Sequence, residues 1–205
     1  MRGIDRAIKV ALGLLNCDSG AGIPKKLTYS ATSIKIGNAH RAGLIPLRPL
    51  RSSRQPLRAI FVTTQISDVF GGEPAPTQFS IVAAADVIDP FLRGELVTVS
   101  RRQVKWKKAD QPNLVRLVGE DEVWEMCIRW PPPGWRLFGR FLDTDVFVGL
   151  SLHDKHVLGP DYGEVVGRVQ EDWDRLLGGV APVRSDRLED YLRGVYRNMD
   201  DPDAR

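Results

Sequence analysis

The apolar residues of this chain change their period several times, and each change marks an expected element. From Gly3 to Leu15, the positions Ile4, Ala7, Ile8, Ala11, Leu12 and Leu15 recur at three- and four-residue spacing, which is one face of a helix. Leu27 to Ile36 alternates loosely and is rich in Thr, Ser and Ile, a composition that suits a short strand. Pro46, Pro49 and Pro56 then fall among arginines and serines. Proline removes a backbone donor and biases the residue before it away from helix, so Ala42 to Leu57 reads as loop. Arg58 to Ile66 holds the β-favouring run Ile60 to Thr64 and reads as a strand. Gly71 to Pro76 breaks the chain and sets a domain boundary. Beyond it, Thr77 is placed to cap a helix with Phe79, Val82, Ala83, Val87 and Ile88 on one face, limited or kinked by Pro90 and Gly94.

The second half carries four strand-like runs: Asn113 to Val118, Val123 to Trp130, Trp135 to Leu142 and Val146 to Leu152. Their connections are Gly119-Glu120-Asp121, the proline run Pro131 to Pro133 with Gly134, and the tight turn Asp143-Thr144-Asp145. Short connections of this kind imply an antiparallel meander. After Gly159-Pro160, Asp161 is placed to cap a helix with Val165, Val166, Val169, Trp173 and Leu176 on one face, ending at Gly178-Gly179. Ser185 to Met199 is amphipathic through Leu188, Tyr191, Leu192 and Val195. The expected fold is therefore α+β: a small antiparallel β-meander packed with helices over residues 77–180. An N-terminal extension, 1–70, with one short helix and room for strands precedes it, and a C-terminal helix and polar tail, 181–205, follow.

Hydrophobic residues at 42% and charged residues at 27% leave enough apolar surface for a folded core, which excludes disorder throughout. Charge is unevenly spread. Residues 1–58 hold 11 Lys and Arg against Asp5 and Asp18, a balance of +9, while the remainder holds 18 against 24, a balance of −6. A basic block of this kind repels itself and seeks polyanions, as an arm for RNA or the ribosome would, or it is a solvated extension. Two cysteines, Cys17 and Cys127, cannot make a disulfide framework and have no metal-ligand spacing, which fits a reducing compartment. The basic and apolar N-terminus is too short and too interrupted for a signal peptide. Asn16 also stands where a lipoprotein cleavage box needs a small residue. No stretch approaches the ~20 apolar residues of a membrane span. The expectation is a cytoplasmic protein that does not meet a membrane.

Three words in this pattern resemble a known family. Val123-Trp124-Glu125-Met126-Cys127-Ile128-Arg129, then Gly134-Trp135-Arg136-Leu137-Phe138, then Asp154-Lys155-His156, in the order helix, meander, helix, resemble the RelE/HigB superfamily of toxins. In that family a strand reading roughly W-E-L-R-I precedes an aromatic–Arg pair. A third strand then ends in a lysine-bearing loop that leads to a helix with a tyrosine. Lys155 and Tyr162 lie seven residues apart, the spacing such members lead one to expect. The resemblance covers residues 77–180 and implies a RelE-like fold. It further implies an endoribonuclease that cuts messenger RNA on the ribosome, uses no metal or small-molecule cofactor, and is held inactive by an antitoxin protein.

Carried over residue by residue, the resemblance makes Arg136 the phosphate-stabilising arginine. It puts Lys155 and His156 on the basic loop, with His156 as acid or base because imidazole titrates near ~6.5. Tyr162 becomes the helix tyrosine, which stacks on a base or assists proton transfer. Cations at these points meet the negative charge that develops at phosphorus. Two departures count against this reading: Glu125 and Cys127 stand where RelE itself carries lysines, and the triple proline lengthens the turn.

Other readings stay open beside it. Arg136 is equally a surface arginine lying on an aromatic ring. Lys105, Trp106, Lys107 and Lys108, with Arg129, form either an RNA-contacting cluster or a solvated loop. His153 and His156 lack a third ligand, so no zinc site is expected. Trp124, Trp130, Trp135 and Trp173 read as core and edge packing. The whole domain is alternatively a non-catalytic module that binds protein or nucleic acid, or a ParE-type gyrase inhibitor on the same fold.

Overall fold

The computed structural model describes residues 25–51, 56–72, 76, 78–101, 111–117, 122–158 and 162–201, with side chains from residue 31 onward. The expected helix at 3–15, the caps Thr77 and Asp161, the turn at 119–121 and the cluster Lys105 to Lys108 all lie outside the described residues.

The order of elements is α1 (Lys25–Arg41), β1 (Ile45–Pro46), β2 (Ala59–Val62), α2 (Thr64–Gly71), α3 (Ile81–Leu92), β3 (Val97–Ser100), β4 (Leu114–Arg116), β5 (Trp124–Ile128), β6 (Trp135–Asp143), β7 (Val146–Asp154), the single turn α4 (Lys155–Leu158), α5 (Gly163–Leu177), a 3₁₀ turn (Leu188–Asp190) and β8 (Tyr196–Asn198). The strands make one eight-stranded sheet in the order β1-β2-β7-β6-β5-β4-β3-β8. The centre, β7-β6-β5-β4, is the expected antiparallel run. Its flanks are parallel, with β2 beside β7, and β3 between β4 and β8.

The fold is α+β, but the sheet is larger and mixed rather than a small antiparallel meander. The reason lies in segments that do not look like part of it. Ala59 to Val62 pairs with Val146 to Gly149, and Tyr196 to Asn198 pairs with Val97 to Val99, so one sheet runs through residues on both sides of the expected boundary at 71–76.

Alternation along the central strands divides their side chains between two cores. On one face Trp124, Met126, Ile128, Leu137, Phe141 and Phe147 pack against α2 and α3. On the other, Phe61, Phe138, Leu142, Val148 and Leu150 pack against Ala39 of α1 and against Val165, Val166, Val169, Trp173 and Leu177 of α5. The 3- and 4-residue spacing of those five α5 positions gives the helix its single apolar face.

Local chemistry fixes the helix ends. Thr63 caps α2 by accepting from Ile66 N, Gly72 closes it at φ +90°, and Ser80 caps α3 by accepting from Ala83 N. Pro90 sits inside α3 near its end. The preceding Asp89 is buried and accepts from Leu50 N at 2.6 Å and Arg51 N at 2.9 Å, which ties the proline-rich loop down onto α3.

Two expected elements differ. Leu27 to Ile36 is part of α1, not a strand. Thr32 and Lys35, one turn apart, both reach Asp143 in the β6–β7 turn, at 2.7 and 3.7 Å, and Ala39 is buried beneath them, so tertiary contacts override the local β preference. Ser185 to Met199 is the 3₁₀ turn and β8, not a helix. Tyr191 is fully buried, with its hydroxyl accepting from Ser185 N at 2.8 Å. Asp145 accepts from Arg193 N at 2.9 Å and pairs with the buried Arg58 at 3.2 Å. Gly194 at φ +82° then turns the chain into the sheet. Among the described residues no helix is long and apolar enough to cross a membrane.

Candidate functional site

The face under α5 is apolar along most of its length and turns polar at one end. Register explains which residues meet there. Opposite residues of an antiparallel pair share a face, so the pairing of Cys127 with Arg136 and of Arg136 with His153 makes a row across three strands, Cys127–Arg136–His153. The next row is Glu125–Phe138–Ser151. Two irregularities lie between the β6–β7 turn and these rows: Leu142 on β6 and Leu150 on β7 are each left unpaired. One bulge on each strand cancels the other, so the register at Arg136 is the one the tight turn at Thr144-Asp145 sets.

β7 runs directly into α4, which puts Lys155 beside these rows, and Lys155 N donates to Gly134 O at 2.9 Å. Gly134 is held at φ +83°, and a Cβ there would lie 2.2 Å from Ile128 O, so only glycine closes this turn. Tyr162 precedes α5 and lays its ring edge-on against Phe138, centroids 5.4 Å apart. The Lys155 ammonium donates to the Tyr162 hydroxyl and lies 4.3 Å from the centre of its ring.

Glu125 stands among the cations. Its carboxylate lies 3.6 Å from Arg136 Nε, beyond hydrogen-bond length, and the Arg136 and Glu125 side chains are only 12% and 10% exposed. Arg136 also donates from Nη1 to Trp135 O at 3.0 Å. Burial pushes the Glu125 carboxyl above the usual carboxylate range, against the pull of Arg136, Lys155 and Arg129. Burial likewise lowers Lys155, with Arg136 adding to the effect while Glu125 opposes it. The same cause raises the Tyr162 hydroxyl and the Cys127 thiol, each to about 12, so both are neutral at ordinary pH. His153 is lowered from 6.5 by burial and by Arg168, and its Nε2 shares a hydrogen bond with Ser151 Oγ.

Three of the four residues expected to be catalytic therefore come together: Arg136 from β6, Lys155 from α4 and Tyr162 from the start of α5. His156 is one position further along α4, exposed, with its backbone N on Asp154 Oδ1 at 2.8 Å. The histidine opposite Arg136 is His153. Arg129, expected on RNA, donates to Gln111 Oε1 at 2.9 Å, Asn113 Oδ1 at 2.8 Å and Pro112 O, which fastens the approach to β4. Glu125, expected only as a departure from a family pattern, is the carboxylate at the centre of the cluster. Trp130 is not packing: it is 67% exposed, while Trp124, Trp135 and Trp173 are buried. Among the described residues no group of three or more His, Cys, Asp and Glu is placed to hold a metal ion.

The arrangement joins a fixed cation at Arg136, a lysine with a lowered pKa, a neutral imidazole and a neutral phenol at the mouth of one helix. No protein-family model, curated protein or solved structure matches this chain.

Proposed function

We propose that the Arg136–Lys155–Tyr162–His153 cluster is the reaction centre of a RelE/HigB-type endoribonuclease on a RelE-like fold. In this reading it cleaves messenger RNA on the ribosome, in the cytoplasm, and is restrained by an antitoxin protein. One observation carries the reading: side chains from three separate elements, each singled out from the sequence, meet around one buried carboxylate.

The chemistry divides among them as follows. The RNA 2′-hydroxyl gives its proton to the neutral His153 imidazole, and its oxygen forms a bond to phosphorus. The bond from phosphorus to the 5′-oxygen breaks, and that oxygen takes a proton from the Lys155 ammonium, leaving a 2′,3′-cyclic phosphate and a 5′-hydroxyl. Arg136 meets the charge that builds on the phosphoryl oxygens, in a setting where burial strengthens the interaction. Glu125 orients Arg136, and the Tyr162 hydroxyl orients Lys155. Inducible expression in bacteria tests the assignment, with growth and messenger RNA integrity followed together. Wild type is expected to arrest growth and deplete messenger RNA, and Arg136→Ala to do neither; arrest that is equal in both would overturn it.

One observation favours a second reading. Arg136 is already paired with a carboxylate that repels phosphate, which suits a non-catalytic binding module held rigid by an internal ion pair. That reading expects salt-sensitive binding of nucleic acid and no cleavage product.

A further inference from the structure

We infer that Ser151 fixes the tautomer of His153, so that Nδ1 is the ring nitrogen free to take a proton. The inference rests on the reaction centre proposed above for its consequence, and adds to it a positioning residue that no motif singles out. Ser151 and His153 are two apart on β7, so both side chains stand on the face that carries Arg136 and Phe138. Ser151 Oγ shares a hydrogen bond with His153 Nε2, and among the described residues the imidazole makes no other hydrogen bond. The ring also rests against the wholly buried Phe138, centroids 6.0 Å apart and planes at 66°. One polar and one aromatic contact therefore hold it, and they leave Nδ1 open.

A neutral imidazole has one nitrogen that donates and one that accepts, and the partner of one decides the role of the other. Were Ser151 the donor, Nε2 would commit the ring's only lone pair and Nδ1 would carry the proton, which leaves no base. The Nε2–H form is the intrinsically favoured tautomer of a histidine side chain, and its N–H donates to Ser151 Oγ. The ring is neutral at ordinary pH because burial, and then Arg168 facing it from α5, lower its proton affinity. Arg136 faces it from β6 with its charge offset by Glu125, Cys127 lies beyond Arg136 as a neutral thiol, and Lys155 follows on α4. When Nδ1 takes the proton of the RNA 2′-hydroxyl, the ring becomes a cation and its bond to Ser151 strengthens, since a charged donor makes the stronger hydrogen bond. Stabilisation that appears only as the proton moves lowers the barrier without tightening substrate binding.

The test is nitrogen NMR of the full chain with isotope-labelled histidine, at a pH where His153 is neutral, with His153→Gln used to assign its signals among the three histidines. A ring nitrogen that carries a proton and one that does not resonate far apart. Wild type is expected to show Nε2 protonated and Nδ1 bare, Ser151→Ala to show the two averaged toward each other, and Ser151→Thr to restore the wild-type pattern. In cleavage of ribosome-bound messenger RNA, kcat should fall about ten- to a hundredfold in Ser151→Ala with KM unchanged, and recover in Ser151→Thr. A proton on Nδ1 in wild type, or one pattern shared by wild type and Ser151→Ala, overturns the inference. So does an undiminished kcat in Ser151→Ala where His153→Gln is inactive. The expected tautomers beside no cleavage by wild type, or beside cleavage that His153→Gln does not reduce, overturn the proposed reaction centre and leave the hold of Ser151 on the ring standing.

Discussion

The two faces of the central sheet use the same strands to opposite ends. On the face covered by α2 and α3, Trp124, Met126, Ile128, Leu137, Phe141 and Phe147 form an apolar core, and the rings of Trp124, Phe141 and Tyr191 pack on one another, centroids 4.9 to 5.4 Å apart. On the face covered by α5, Arg140 is buried with its guanidinium over the Trp173 ring, and one end turns polar, with Glu125 beside Phe138 and then Arg136, His153 and Lys155. Burying charges is costly even when they are paired, because the mutual attraction only offsets lost hydration. A sheet selected for stability alone would carry the apolar pattern across both faces. The difference marks one place where this chain gives up stability; the buried Arg58–Asp145 pair at the other end of the sheet is another.

Substitution on each face should separate stability from function. The largest stability effect belongs to the apolar face: Trp124→Ala should cost about 3–5 kcal/mol by denaturant unfolding, since the ring is wholly buried. On the polar face, the double change Glu125→Leu with Arg136→Met should be neutral or stabilising by about 1–4 kcal/mol. The same double variant should lose RNA cleavage by at least about a hundredfold, as the loss of a charge-stabilising donor does elsewhere. A double variant that unfolds would mean the pair holds the fold together.

Proton affinity sharpens the contrast. His153 is lowered from 6.5 and Lys155 from 10.5, so cleavage by wild type should follow a bell-shaped pH profile whose acid limb lies below 6.5 and whose alkaline limb lies below 10.5. His153→Gln should remove the acid limb along with most of the rate, whereas retention of that limb would assign it to another group.

Glu125 contributes to stability with a definite sign. Its folded pKa is raised above the ordinary 4.5, so between those two values the folded chain holds a proton that the unfolded chain has lost. Stability from this group is therefore lost as pH rises through that window. Glu125→Gln should gain on wild type as pH climbs from 4.5, measured by thermal melting across pH. The smallest effect belongs to His156→Ala, which should leave stability within about 0.5 kcal/mol and cleavage unchanged, because the side chain is exposed.

How far the sequence could carry these conclusions depends on which forces act locally. The four central strands and α5 were legible because their alternation and helical spacing are properties of neighbouring residues, and the structure keeps Trp135 to Asp143 and Gly163 to Leu177 close to the expected bounds. β2 was legible as a strand within Arg58 to Ile66, but its place beside β7 was not, and neither was β8, since their partners are about 90 residues or more away. α1 and the C-terminal strand were misread for the same reason, with Asp143 and Asp145 supplying the deciding contacts from a distant turn.

Within the site, Arg136, Lys155 and Tyr162 were named from motif words, but the histidine was chosen by adjacency to Lys155 rather than by register. A two-residue turn at Thr144-Asp145 pairs residues whose numbers sum alike along the hairpin, which matches His153 to Arg136. That signal was present, and the cancelling bulges at Leu142 and Leu150 leave it intact. Glu125 could be seen to fall on the polar face of β5, but not that it would be buried there. Its environment is made by α4 and the start of α5, which no local pattern reveals.

The most direct test is the cleavage of a messenger RNA bound to purified ribosomes by the purified full chain, beside Arg136→Ala and Lys155→Met, with the melting temperature of each protein recorded in the same buffer. The account predicts fragments ending in 2′,3′-cyclic phosphate from wild type alone, blocked when the 2′-hydroxyl at the cut is replaced by hydrogen, while all three proteins remain folded. Equal cleavage by the variants, or an intact RNA with folded wild type in excess, would contradict it.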